Sequence, residues 1–355
     1  MNASLLASAP SNEMIDFLDY GLAHQFGDLH FFMDKESGMK AMVAIHNTNR
    51  GPALGGCRFI PYASTQEAIL DCMRLARGMS YKAALANLPL GGGKAVIIEP
   101  ATSYSRTQYF DAFGRFVHQL NGRYITALDS GTNLSDMDRI YAHTPYVASL
   151  SQLHGDPSPY TAQGVLVGIE SMVRQVLGKN SLHGIHVAIQ GLGHVGFKLA
   201  EYLYANGAVL TVSDIDPRKT QEAHQLFDAQ VVDSALIHQT VCDVFSPCAL
   251  GGIINDQTLP ELQTSIIAGA ANNQLAHSHH GDRLFEKNIA YAVDYVINAG
   301  GLIFAACQYL KTDQEQVHQQ INLIADTLAQ IYQESLASHQ ATNHVADRIA
   351  ESRLL

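Results

Sequence analysis

Two lysines twelve residues apart carry the first chemical signal in this chain. Lys82 closes the segment Gly78-Met79-Ser80-Tyr81-Lys82, and Lys94 stands between Gly91-Gly92-Gly93 and the apolar run Ala95-Val96-Ile97-Ile98. A lysine is rarely buried without a partner, so Lys94 at the mouth of such a run is energetically unusual. The three glycines let the backbone approach another group closely. A nucleotide phosphate loop does not fit, because G-x-x-x-x-G-K-[ST] requires glycine where Leu88 stands and a hydroxyl where Ala95 stands. Two readings remain. One is a plain Gly-Lys turn; the other is a lysine in a pocket, where its pKa falls and it can move protons.

A second signal lies further on. His186-Val187-Ala188-Ile189-Gln190 reads as a strand, Gly191-Leu192-Gly193-His194-Val195-Gly196 as a G-x-G-x-x-G turn, and Phe197 to Asn206 as a helix. The next strand, Ala208 to Ser213, ends at Asp214, about 20 residues on. In that context Gly191 makes the tight turn and Gly193 admits a pyrophosphate to the helix N-terminus. Gly196 packs helix on strand, and Asp214 accepts from a ribose hydroxyl. The acid favours NAD, since it would repel a 2′-phosphate, while Arg218 and Lys219 keep NADP open.

Joined to that nicotinamide site, the lysines and Asp129 suit amine oxidation. One cation clamps a substrate carboxylate, a low-pKa lysine handles water at the carbon centre, and the acid exchanges protons with nitrogen. A hydroxy-acid dehydrogenase would centre on a histidine with an arginine clamp, a pairing not evident here. A non-catalytic NAD-binding sensor would need none of the three groups.

These residues require elements to hold them. Met42 to His46 reads as a strand, and Ser64-Thr65-Gln66-Glu67 as a capping box opening a helix with Ile69, Cys72, Met73 and Ala76 inward. Ala95 to Ile98 is a buried strand, Tyr109 to Leu120 a helix, and Tyr124 to Ala127 a strand ending at Asp129. Asp156-Pro157-Ser158-Pro159 marks a domain boundary. Strands are expected at Ser265 to Ala270 and Ala290 to Ile297, then helical segments at Leu302 to Leu310 and Asp313 to Leu336. His277-Ser278-His279-His280 reads as a polar loop with no cysteine or carboxylate at ligand spacing, so no metal is expected.

Length and composition agree. The chain has 355 residues, 47% hydrophobic and only 15% charged, enough for two packed domains. A net charge of -11 with no basic cluster argues against a nucleic-acid partner. There is no positive n-region and no membrane-length apolar run. Five scattered cysteines, Cys57, Cys72, Cys242, Cys248 and Cys307, suit a reduced, cytoplasmic setting.

Eight segments together resemble the glutamate/leucine/phenylalanine/valine dehydrogenase family, most of all its leucine dehydrogenase branch. They are Gly51 to Arg58, Arg74 to Lys82, Gly91 to Lys94, Asn121 to Thr126, Pro157 to Thr161, Pro247 to Gly251, Gly269 to Gln274 and Asp294 to Gly301, in the family's order. The resemblance implies that Lys82 binds the substrate α-carboxylate, helped by the Gly55-Gly56 backbone and by Asn272 or Asn273. Lys94 would activate the water that attacks the iminium, and Asp129 would be the acid/base for the amino group. Leu54, Ala127, Leu302 and Ala305 would surround the substrate side chain. Thr161 would lie near the nicotinamide carboxamide, with His194, Val195, Ala249 and Asn272 also on the cofactor. Lys82 and Lys94 in one cleft would each disfavour the other's charge, and domain closure would exclude water. The leucine branch often carries Glu before the catalytic Asp, where this chain has Leu128, which leaves aliphatic against aromatic substrates open.

The expected fold is therefore α/β. Residues 1–155 form an N-terminal α/β substrate-binding and oligomerisation domain, and 156–297 a Rossmann-type NAD-binding domain. A helical C-terminal segment, 298–355, is expected to return to the first domain. The expected reaction is reversible NAD-dependent oxidative deamination of a hydrophobic L-amino acid, with leucine, valine or isoleucine ahead of phenylalanine, by a homo-oligomer without membrane partners.

Overall fold

The computed structural model describes residues 16–151 and 156–355 and divides into two compact units. Among the described residues the first comprises 16–151, 305–313 and 350–355. It begins with α1 (Phe17–Ala23), β1 (Asp28–Met33), β2 (Lys40–Asn47) and β3 (Ala53–Ile60). Next come α2 (Thr65–Leu85), β4 (Gly91–Ile98), α3 (Arg106–Gln119), β5 (Tyr124–Ala127) and α4 (Leu134–Tyr141). The strands form one mixed sheet in the order β1-β2-β4-β3-β5, with β3 parallel to both β4 and β5.

Side chains alternate across this sheet with the strand period of two. Ala41, Val43 and Ile45 of β2 join Ala95 and Ile97 of β4 in a core with Phe110, Phe113 and Phe116 of α3 and Met137 and Ile140 of α4. Met42, Ala44 and Val96 face the other way, onto Ala68, Ile69, Cys72, Met73 and Ala76 of α2. Ser64 caps α2 by accepting the Glu67 N–H, whereas the Glu67 carboxylate takes the N–H of Ala63 rather than that of the cap residue. The helix runs 21 residues, so Lys82 sits in its last turn.

The second unit comprises residues 156–304 and 314–349 among those described. Its elements are α5 (Ser158–Leu177), β6 (His186–Gln190), α6 (His194–Ala205), β7 (Val209–Ser213), α7 (Pro217–Phe227), β8 (Gln230–Val231), β9 (Cys242–Pro247), β10 (Thr264–Ile267), α8 (His279–Glu286), β11 (Ala290–Tyr291) and α9 (Asp294–Ile297). There follow α10 (Gly300–Leu310), α11 (Gln314–Ser338) and α12 (Thr342–Leu354). The six strands are all parallel in the order β11-β10-β9-β6-β7-β8. That is the doubly wound Rossmann arrangement, whose order reverses between β6 and β9.

Some elements differ from expectation. Residues 290–297 form a two-residue strand and then the short helix α9, because the Asp294 carboxylate takes the N–H groups of Gln274 and Tyr295 instead of leaving the backbone to pair. Within the expected boundary segment Ser158 and Pro159 already open α5, proline being tolerated where the N–H has no helical partner. The return to the first unit involves only residues 305–313 and 350–355. Between them, α11 stays with α5: Gly164 and Gly168 leave room for Ile324 and Leu328, and Ser171 donates to the Ala325 carbonyl at 2.8 Å. No helix among the described residues is long and apolar enough to cross a membrane.

Candidate active site

Lys94 lies inside a strand. The triple glycine is no turn but the first half of β4, extended and buried, and the reason is crowding on both sides. A Cβ on Gly92 would run into the backbone and hydroxyl of Ser80 on α2, and one on Gly55 into the Gly93 carbonyl. Ser80, two residues before Lys82, thus packs on Gly92, two residues before Lys94. His46 on β2 fastens this contact: its Nε2 donates to the His24 carbonyl at 3.0 Å, so Nδ1 is the acceptor for the Ser80 hydroxyl at 2.8 Å.

The register gathers the other candidates. Leu54 pairs with Gly92 and Gly56 with Ala127, so Leu54, Gly56, Lys94 and Ala127 share the α2 side of the sheet. Leu54 and Ala127 are buried there. Leu128, in the position of the family's acid, packs instead against the core on the opposite face.

Lys94 Nζ is in direct contact with the Asp129 carboxylate. Burial lowers the Lys94 ammonium from 10.5 to about 7, the Arg58 guanidinium pushes the same way, and Asp71 opposes them. Asp129, as a counter-charge at contact distance, also favours the ammonium. Arg58, a cation to which the sequence reading gives no role, is held by Asp71 at 2.8 Å with the Tyr62 hydroxyl on the same carboxylate oxygen at 2.6 Å. Nothing in the spacing of Arg58 reveals this.

Asp129 is held from several directions. Its Oδ1 accepts the Ser130 N–H at 2.6 Å, and its own N–H donates to Thr132 Oγ1 at 2.9 Å. A Cβ on Gly56 would strike the Asp129 side chain. Gly131 has φ +82 and lies against the Phe59 carbonyl, where no side chain fits. Arg106 then clasps the Gly131 carbonyl at 2.7 Å while paired with Asp136.

The second unit collects the cofactor candidates at the C-terminal ends of its central strands. Gly191 has φ +94, and a Cβ there would meet Ala249 after β9. Gly196 is pressed on the Gly191 carbonyl, whereas a Cβ on Gly193 would meet nothing within 4 Å. Gly193 is also the N-cap of α6, with no side-chain cap, so the helix N-terminus is open to an anion. His194 is exposed and Val195 half-buried in the first turn. Asp214 Oδ2 accepts the Leu192 N–H at 2.7 Å and Oδ1 the Asp216 N–H at 2.9 Å, each oxygen keeping a further lone pair. These residues fit a dinucleotide. Thr161, in the first turn of α5, donates to the Pro157 carbonyl at 3.2 Å and faces Gly301.

Asn272 and Asn273 follow β10, Asn273 with φ 52. Asn298 Nδ2 donates to the Ala270 carbonyl at 3.1 Å and to Asn272 Oδ1 at 2.8 Å. With its oxygen engaged, Asn272 presents its NH₂ group outward, as an acceptor-rich partner such as a carboxylate or carbonyl requires. Leu302 and Ala305 are both half-buried on α10, the first in the second unit and the second in the first.

His279 and His280, read from the sequence as part of a polar loop, open helix α8 and do meet a carboxylate that sequence spacing hid: Asp256, His279 and His280 bring ligand-type atoms within 4.8 Å of one another. His280 Nδ1 accepts the His277 N–H at 3.0 Å, so Nε2 carries the proton and faces Asp256 at 3.5 Å. A metal ligand needs the opposite arrangement, with the second nitrogen donating.

Comparison with known proteins places this geometry among relatives. Residues 25–146 match the family described as "Glu/Leu/Phe/Val dehydrogenase, dimerisation domain" and residues 217–353 that described as "Glutamate/Leucine/Phenylalanine/Valine dehydrogenase". The chain is 45% identical over 343 residues to a leucine dehydrogenase of Geobacillus stearothermophilus, covering 96% of this chain and 94% of that protein. It is 40% identical over 349 residues to a phenylalanine dehydrogenase of Bacillus thermotolerans, covering 96% and 91%. The crystal structure of L-tryptophan dehydrogenase from Nostoc punctiforme superposes with a TM-score of 0.87 at 42% identity, covering 95% of this chain and 98% of that one.

Proposed function

The chain belongs to the glutamate/leucine/phenylalanine/valine dehydrogenase family, and we propose that it catalyses the reversible, NAD-dependent oxidative deamination of a hydrophobic L-amino acid to its 2-oxo acid and ammonium. The observation that carries this reading is the buried Lys94 in contact with Asp129, on the sheet face shared with Leu54 and Ala127. Lys94, lowered to about 7, is a base near neutral pH. It takes a proton from the water that attacks the iminium carbon, while Asp129 exchanges protons with the substrate nitrogen. Lys82 pairs with the α-carboxylate, supported by the Gly55-Gly56 backbone and the outward NH₂ of Asn272; Asn273 belongs to the same loop. Bound NAD, held by Gly191, Gly193, His194, Val195, Gly196, Asp214, Ala249 and Thr161, supplies a hydride acceptor. Leu54, Ala127, Leu302 and Ala305 shape the side-chain site.

Among the hydrophobic amino acids, leucine, valine and isoleucine come first, on the strength of the leucine dehydrogenase relatives. The tryptophan and phenylalanine dehydrogenase relatives favour an aromatic substrate as the second reading. Incubation with L-leucine, L-valine, L-phenylalanine or L-tryptophan and NAD at mildly alkaline pH, followed by NADH absorbance, separates them. No turnover with any would refute the enzyme reading, and NADH formation from a 2-hydroxy acid instead would replace it.

We also propose a homo-oligomer built on the first unit. Strand β1 is a sheet edge with Phe31 and Met33 exposed, and α1 exposes Leu18 and Leu22, apolar surface that a second copy would cover.

A further inference from the structure

Just beyond β7 the chain places four charges within six residues: Asp214, Asp216, Arg218 and Lys219. They are arranged as two pairs. Asp216 is the N-cap of α7, its Oδ1 accepting the Arg218 N–H at 3.0 Å. The same carboxylate grips the Arg218 guanidinium fork, Nε to Oδ1 at 3.0 Å and Nη2 to Oδ2 at 2.8 Å. Lys219 Nζ lies 3.9 Å from Asp214 Oδ2. Each cation of the segment therefore has a carboxylate of its own.

We propose that Asp216 is a cofactor-specificity residue: by occupying the Arg218 fork it withholds the guanidinium that would otherwise receive the 2′-phosphate of NADP. The inference rests on the reading above that Asp214 receives the adenosine ribose, and it goes further in dividing discrimination between two carboxylates. Asp214 repels the phosphate where the 2′-hydroxyl is held. Asp216 removes the compensating cation. Arginine is the side chain best matched to phosphate, through two parallel N–H···O bonds. The Nε and Nη2 edge that serves Asp216 is one of the two donor pairs a phosphate could use, and the Asp216 charge opposes a phosphate approaching the other, so the two anions compete. The four charges sum to zero, and loss of either carboxylate charge leaves a net positive segment beside the ribose site.

The Arg218 side chain is 88% exposed, and a pair so open to water adds little to the fold. Asparagine caps a helix about as well as aspartate, so Asp216→Asn releases the guanidinium while keeping the start of α7.

The test is kcat/KM with NAD and with NADP for the wild type, Asp216→Asn, Arg218→Gln and the double variant, at one ionic strength. The wild type is expected to prefer NAD. Asp216→Asn should raise kcat/KM for NADP about tenfold, the scale of a recovered charge-assisted contact, and leave the value for NAD within about twofold. Adding Arg218→Gln should cancel the gain, and Arg218→Gln alone should change neither cofactor. No gain for NADP in Asp216→Asn, or a gain that survives Arg218→Gln, overturns the proposal. A wild type that prefers NADP overturns the cofactor reading itself, and is seen before any variant is made. Asp216→Ser, which also caps, must move NADP in the same direction, so a poorly folded asparagine variant does not decide the matter.

Discussion

Lys94 should make the protein less stable at neutral pH than it is at alkaline pH, and its removal should separate stability from activity. Its folded pKa, about 7, is depressed from 10.5 by burial first and by Arg58 second. A depressed lysine binds fewer protons folded than unfolded between those two values, so stability rises with pH across that window. Below pH 7 the full penalty is present, about 5 kcal/mol at 1.36 kcal/mol per unit. Integrating the linkage gives about 4 kcal/mol at pH 7 and about 2 kcal/mol at pH 9. Lys94→Met keeps the buried stem and abolishes the titration. Set against this is the loss of the Asp129 contact, which leaves that carboxylate without its cation. Urea unfolding of both proteins at pH 7 and 9 should show the wild type gaining about 2 kcal/mol relative to Lys94→Met over that interval. The same variant should lose about 10²- to 10⁴-fold in kcat for deamination, the usual worth of a general base. In the wild type, kcat/KM for the amino acid should rise through an acid limb near pH 7. Parallel stability profiles, or an acid limb unmoved from that of a solvent-exposed lysine, would refute the pocketed-base argument.

Further outcomes follow from the same geometry. Lys82→Met should raise KM for the amino acid about 10- to 100-fold with a smaller change in kcat, as the loss of one charged hydrogen bond requires; steady-state kinetics with NAD saturating checks this. Gly131→Ala should destabilise by about 2–4 kcal/mol, because alanine must take a positive φ against the Phe59 carbonyl, and kcat should fall with it as Asp129 shifts. Asn298→Asp, which offers acceptors where Asn272 needs a donor, should raise KM more than Asn298→Ser, with kcat the less affected. Light scattering at micromolar concentration should give at least twice the single-chain 38.6 kDa, and Phe31→Glu with Met33→Glu should lower that mass.

Much of this protein is legible without its fold. The strand, glycine turn, helix and acid from His186 to Asp214 form a local motif whose parts are adjacent in sequence, with Gly191 at positive φ and Gly196 pressed on the Gly191 carbonyl. The apolar run Met42 to His46 declares a strand buried on both faces, and the period of Ile69, Cys72, Met73 and Ala76 a buried helix face, both from local sequence. Lys94 is conspicuous for the same reason, as an ionisable group set in apolar sequence.

What the sequence left open depends on contacts between distant residues. Gly91-Gly92-Gly93 lies outside the strand expected at Ala95 to Ile98 and becomes part of it only when Ser80 and Gly55 press on it from an adjacent helix and strand. Residues 290–297 look like one strand because the carboxylate that ends it early, Asp294, spends its oxygens on Gln274, twenty residues away, and on the next N–H. The pKa of Lys94 depends on its depth beneath α2 and on Arg58 from a neighbouring strand, distances that no spacing encodes. Asn298 gains its role only when Ala270 and Asn272 are brought to it, fixing which end of an amide points outward. Residue type sets what a group can do; tertiary packing sets its charge, its partners and the direction in which it acts.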